Sequence, residues 1–455
     1  MKNIFFLLFA FLLAASCSKE PLSTLRNASR LSNADSTDSL PVDTIPIDTV
    51  TNDTIYAVPG EAINSTIGRA KTGSIIKLLD TIYNEVVWIN ADTADLTIVG
   101  PVTFGAGLNI SNANNLLLKG FKATNTFKRP SLKISTAFNT TAFNLRLEDF
   151  NITNASDSAA NTIEMLEKIS KPVTLSFCRG VLDVNYVNNS QYIKMIRVTN
   201  ATAAINPVKI SFNRVEIHGF ADYLSTAVNF VYNKCLLIQD RNISTAVLKF
   251  GEDTGAPKAV VGAINIDSCT VQYNIPNSYC NHMLFLGRGT GSNPIFIRNT
   301  TAKQSHRDKG NGFVIKSIGN ASNRVFIENC EASCATPFLV KGSSYITISG
   351  CTLLSTSLLT ENGTAIECSN PRYKDGDLAS NYNEVIGCRI TSAKRIWQTT
   401  TKDGCLLPAR ESLRTWSVSG NILKAPSYLR DEKLSYSWLS RANFWDQDVG
   451  SVYKK

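Results

Sequence analysis

The chain has three histidines, and all of them lie between His218 and His306. The segment SHRDKGNGFVIKS, Ser305 to Ser317, sets His306 beside Arg307, Lys309 and Lys316 around a Gly-Asn-Gly turn. His, Lys and Tyr can move protons when burial or neighbouring charge tunes them, and Arg can neutralise an anion. One reaction uses all of these types. β-Elimination next to a uronate needs a group to neutralise the carboxylate, a base for the acidified ring proton, and an acid for the leaving oxygen. Arg288 or Arg307 suits the first task, His306 or His218 the second, and Tyr273 the third. A hydrolase would need paired carboxylates across the bond. The pairs on offer, Glu252 with Asp253 and Asp375 with Asp377, are adjacent or nearly so in sequence and signal little.

A second set of residues suggests where an acidic chain would lie. The phrases KMIRVT, AVLKFG, MLFLGRG, FVIKSI and FLVKGS each end an apolar run with a basic residue: Arg197, Lys249, Arg288, Lys316 and Lys341. If these runs are successive strands of one sheet, the cations stand about 4.8 Å apart. Like charges in such a column repel unless an anion joins them, so the column is expected to hold carboxylates or sulfates. Arg241 and Lys309 are expected beside it. His218, Gln239 with Asp240 and Arg241, Tyr273, and Gln304 with His306 and Arg307 form a parallel column, and Ser305 to Ser317 is the turn between the two. The competing explanation is that basic residues end strands for solubility and to discourage edge pairing, and that each histidine is structural.

The elements that would position these groups are short strands. VTLSFCRG, INIDSCTV, VFIENCEA, YITISGCT and NEVIGCRI repeat one phrase, with a Cys just after an alternating strand; IFIRNTTA, VKISFNRV and WSVSGNIL place Thr or Asn nearby. Imperfect repeats of roughly 20 to 40 residues, with Asn and Gly at the corners, mark a solenoid. No long helical period interrupts them, which favours an all-β parallel β-helix. Cys178, Cys235, Cys269, Cys330, Cys351 and Cys388 are then expected as an inward ladder of packed thiols. Cys280, Cys334, Cys368 and Cys405 fall outside it, and a bridge among them stays open.

The opening of the body, PGEAINSTIGRAKTGSIIKLLDTIYNEVVWI followed by LTIVGPVTFGAGLNISNANNLLLKGFKATNT, resembles that of the pectate-lyase-like right-handed β-helix proteins, above all the chondroitinase B and alginate lyase group. The resemblance spans Val58 to about Trp445 as architecture and matches no catalytic motif. It implies a right-handed coil closed by a short N-terminal helix, and an acidic glycan such as chondroitin or dermatan sulfate as substrate.

The ends address the compartment. Lys2 and the apolar run Ile4 to Leu13 read as a signal peptide over 1–16, and Leu13-Ala14-Ala15-Ser16-Cys17 resembles a bacterial lipobox, with lipid attachment at Cys17. Ordinary secretion is the alternative. Residues 17–56, rich in Ser, Thr, Asp and Pro, read as an acidic tether, and 57–455 as the β-helix domain. The whole chain carries a net charge of +9, from 46 Lys and Arg against 37 Asp and Glu, and the acidic tether leaves a body outside the cell that is more basic still. It points to an acidic polysaccharide as partner and away from nucleic acid. The expected molecule is a monomer on the outer membrane surface, held by its lipid. Calcium is the one metal left open, at YKDGDLASN, which lacks a full ligand set. The readings in competition are a polysaccharide lyase, a non-catalytic glycan-binding protein, and an adhesin or structural coil.

Overall fold

Alternation dictates the elements. Strand Val87–Ala91 is buried at every second residue, and so is Val228–Asn233. Period two with Val, Ile and Phe on one side is what a half-buried strand requires. The computed structural model describes residues 53–445 apart from 126–128, 136–142, 155–160, 166–171, 185–195, 199–207, 224–227, 241–245, 252–260, 275–281, 289–293, 319–323, 359–362, 371–379, 402–414, 430–443 and the single positions 59, 80, 92, 220, 307 and 426. Cys17, Arg241, Cys280, Arg307, Cys405 and both carboxylate pairs lie outside the described residues, as does the side chain of Arg197.

The strands wind into a right-handed parallel β-helix. Each coil has three walls. The first and second walls belong to one 24-stranded sheet folded at a corner, as in Val173–Val184, whose two halves pair with successive halves of Val208–His218. The third wall comprises five strands from Val87–Ala91 to Ile196–Val198, then eight from Ala221–Tyr223 to Ser427–Leu429. Inside, rings stack from coil to coil: Tyr83, Phe104, Phe121, Phe150, Phe177, Phe212 and Tyr232 follow at centroid spacings of 4.7 to 6.2 Å. Burying one such ring stabilises the fold by roughly 1.5–3 kcal/mol.

The corner between the first two walls explains the repeated phrase. Lys234, Ser268, Asn329, Gly350 and Gly387 take positive φ, and the next residue turns inward. That residue is a cysteine in all five cases. The Cys235 amide donates to Cys269 Sγ, Cys330 to Cys351 Sγ and Cys351 to Cys388 Sγ, each at 3.4 Å. Cys269 donates to Thr300 Oγ1 at 3.4 Å and Cys388 to Asn421 Oδ1 at 2.8 Å. The side chain therefore accepts the amide of the coil before, and Thr or Asn serves as well as Cys. Cys178 does not belong to this row. It pairs with Glu148 and Asn213, precedes the positive-φ Arg179, and is only half-buried. Gly180 takes the inward place, because a Cβ there would lie 2.6 Å from the Phe150 ring. Cys334 and Cys368 are buried in the interior.

Helix α1, Ile63–Gly68, closes the first coil. It buries Ile63, Thr66 and Ile67, and Asn64 Oδ1 accepts the Asn90 amide of the third-wall edge at 3.2 Å. An edge strand so covered cannot recruit another chain. Among the described residues, no helix is long and apolar enough to cross a membrane.

Candidate functional site

Register decides which of the expected site residues meet. In the second wall Gln239, Tyr273 and Gln304 pair in one row, whereas His218 pairs with Ile238, one residue earlier. One step along a strand changes its face. Tyr273 is therefore inside, 0% exposed within the main core. It cannot reach a substrate, and its expected role as proton donor is corrected to core packing.

His218 faces outward between two carboxylates, with Nε2 2.6 Å from Glu216 Oε1 and Nδ1 3.4 Å from Asp240 Oδ2. Both ring nitrogens are engaged. His306 lies three coils further on, about 14 Å along the axis, so the two histidines do not form a pair. His306 Nδ1 accepts the Asp308 amide at 3.3 Å, and Asp308 Oδ1 in turn accepts Ser357 Oγ and the Leu358 amide, both at 3.0 Å. These bonds shape the turn between the second-wall strand Thr301–Gln304 and the third-wall strand Asn311–Lys316. Lys309 sits half-buried in that turn.

The basic column divides. Lys316 and Lys341 pair directly. Lys249 does not join them; it pairs with Asp222 on one side and Phe285 on the other, in a row that continues through Val314, Leu339, Glu367 and Gln398. Arg197 pairs with Glu164. The physical reason is an interrupted alternation: Val247 and Leu248 both point into the core, as do Met283 and Leu284. Counting from the apolar run therefore misplaces the lysine by two residues. Arg288 follows strand His282–Leu286 and lies one residue beyond the row of Lys316.

The third wall nonetheless differs from the others. Its outward residues Ala246, Phe285 and Val314 form a second apolar cluster, apart from the core, with Leu339 against it. Lys316 is 4% and Arg288 7% exposed. Outward residues of the second wall such as Lys303, Glu331 and Thr352 are open to solvent. The third wall is thus enclosed: these outward apolar residues and two of its cations are buried, while Lys249 and His282 stay partly exposed. At its head the His282 ring stacks on Phe285 at 5.3 Å, Lys249 Nζ stands 5.8 Å from the same ring centroid, and His282 Nδ1 is 3.0 Å from Asn311 Nδ2. Sequence reasoning passed over His282 as a site residue. It opens a strand just after 275–281, and its partner Asn311 is 29 positions away, so no local motif announces it. Among the described residues, no three His, Cys, Asp or Glu side chains converge as metal ligands.

No family model matches the chain, and no curated protein matches it significantly. Solved structures give distant likenesses. A mannuronic acid specific polysaccharide family 6 lyase from human gut microbiota shares 12% identity at a TM-score of 0.42, covering 87% of this chain and 91% of its own. The Dettilon tailspike protein shares 12% at 0.35, covering 86% and 70%. A PL6 family polysaccharide lyase from Pseudopedobacter saltans shares 14% at 0.31, covering 84% and 94%. These figures speak of architecture alone.

Proposed function

We propose that the third wall binds a uronate-containing acidic polysaccharide and cleaves it by β-elimination. The observation that carries this reading is the grouping of the partly exposed Lys249 and His282 about the Phe285 ring, on a wall that also carries Arg288, Lys316 and Lys341. A face that gathers several cations attracts an anionic ligand. In this reading Lys316, Lys341 and Arg288 hold carboxylates or sulfates along the chain. His282 takes the ring proton: when the Asn311 amide presents its oxygen, Nδ1 donates and Nε2 keeps the lone pair that a base needs. Lys249, over the Phe285 ring beside His282, neutralises the reacting uronate, and the leaving oxygen takes its proton from solvent water.

The test is ultraviolet absorbance of unsaturated uronate products with chondroitin, dermatan, hyaluronan, heparin, alginate and pectate. A product is expected from at least one of them, and His282→Gln is expected to slow its formation about 100-fold or more. No product from any glycan removes the lyase reading. Salt-sensitive retention that Lys316→Ala with Lys341→Ala weakens, without product, leaves a glycan-binding protein in its place. Placement at the cell surface through lipid on Cys17 is part of the same proposal, and a mature chain isolated from its own host without that lipid would refute it.

A further inference from the structure

The N-terminal end of the β-helix wears an apolar collar. Of the ten exposed large apolar side chains among the described residues, five fall between Tyr56 and Trp88: Tyr56 at 56%, Val58 at 58%, Leu79 at 57%, Ile82 at 65% and Trp88 at 51%. They are not on one face. Tyr56 projects from the first wall, Ile82 from the second and Trp88 from the third, with Leu79 between the first two. The collar spans the first two rows of strands: Tyr56 and Val58 lie one coil before Lys77, and Leu79, Ile82 and Trp88 follow Lys77 in the next. One coil along, the residue paired with Tyr56 is Lys77, with Ile82 is Thr103, and with Trp88 is Asn109.

We propose that this collar seats the N-terminal end of the β-helix in the headgroup layer of a phospholipid membrane. A flat rigid partner would cover one wall and leave two bare, and a second copy stacked on the end would cover the tip instead of the walls. Side chains pointing three ways are covered together by a fluid that surrounds them. Trp and Tyr are the side chains that settle at a membrane interface, and Lys beside them reaches to the headgroups. Lys77 Nζ stands 5.5 Å from the Tyr56 ring centroid in that arrangement. The tip itself, where Asn64, Ser65 and Lys71 are exposed and Arg69 pairs with Glu61 at 2.9 Å, is polar, which suits headgroups and not hydrocarbon. The chain also reaches this coil directly from its first 52 residues, whose Leu13 to Cys17 stretch reads as a lipid attachment signal.

Vesicles of phosphatidylethanolamine and phosphatidylglycerol with brominated acyl chains, mixed with the full chain, test this. The bromines are expected to quench a component of tryptophan fluorescence that is missing from Trp88→Phe. Leu79→Ser with Ile82→Ser is expected to lower vesicle partitioning about tenfold, with circular dichroism unchanged. Equal quenching of wild type and Trp88→Phe would show contact through the leader alone and overturn the proposal. So would a concentration-dependent dimer, in the absence of vesicles, that the serine substitutions abolish, since the collar would then belong to a second copy.

Discussion

Cys351 serves two coils at once. Its sulfur accepts the Cys330 amide at 3.4 Å, and its own amide donates to Cys388 Sγ. The bond to the Cys330 thiol, with burial, pushes its pKa up to about 12, so it stays a thiol at neutral pH and is no nucleophile. The described ladder thiols are expected to resist iodoacetamide in the native protein at pH 8 and to react in denaturant, as mass spectrometry would show. Cys351→Val keeps the bulk but strands the Cys330 amide, and is expected to cost about 1–3 kcal/mol in urea unfolding. Cys351→Thr should cost less, since Thr300 already accepts an amide in this row. A different residue ties stability to pH. The Arg179 hydrogen bond at 2.8 Å holds the Asp149 carboxyl below its usual range. A carboxyl lowered in the folded state stabilises above its unfolded pKa, about 3.9, and the gain is lost as pH falls through the folded value. Asp149 is exposed, so Asp149→Asn is expected to cost under about 1 kcal/mol at pH 7, and thermal melts of variant and wild type should converge below about pH 3.

The third-wall strands depend on close backbone approach where they end. Gly251 has φ +72°, and a Cβ there would stand 2.3 Å from the Arg288 carbonyl oxygen. Gly251→Ala is expected to cost about 1–3 kcal/mol and to displace Arg288, so that glycan retention falls along with stability; a variant that melts lower but binds unchanged would separate Arg288 from the ligand. The same strands show what could be read in advance. The corner phrase was legible because each coil repeats one hydrogen bond, and any residue able to accept it leaves a mark at the same place. The row of cations was not, because two successive inward residues in Val247–Leu248 and Met283–Leu284 break the alternation by which faces are assigned. Tyr273 failed for a related reason: grouping it with His218 ignores a slip of one residue that reverses its face. His282 and Asn311 meet only through coil stacking, and no spacing within a single coil brings them together.

As a whole the molecule is nearly one-dimensional, each coil touching the coils before and after it. Among the described residues, strand Thr54–Tyr56 pairs on one edge only, whereas Val208–His218 is paired on both. Hydrogen exchange is expected to be fastest in the end coil and slowest in the middle, and uniform protection would contradict this. The corner ladder also makes the coil a unit of inheritance. Each coil offers one acceptor to its predecessor and one donor to its successor, so removing a whole period orphans neither. Cys330 and Cys351 are 21 residues apart, and excising Cys330 to Gly350 would leave Asn329 leading into Cys351 with the first and second walls still in step. Such a chain is expected to fold, with a circular dichroism spectrum like that of the parent, and to carry a third wall one strand shorter that lacks Lys341. In this architecture the length of polymer that a lineage grips could change by gain or loss of a single turn, without redesign of the turns that remain.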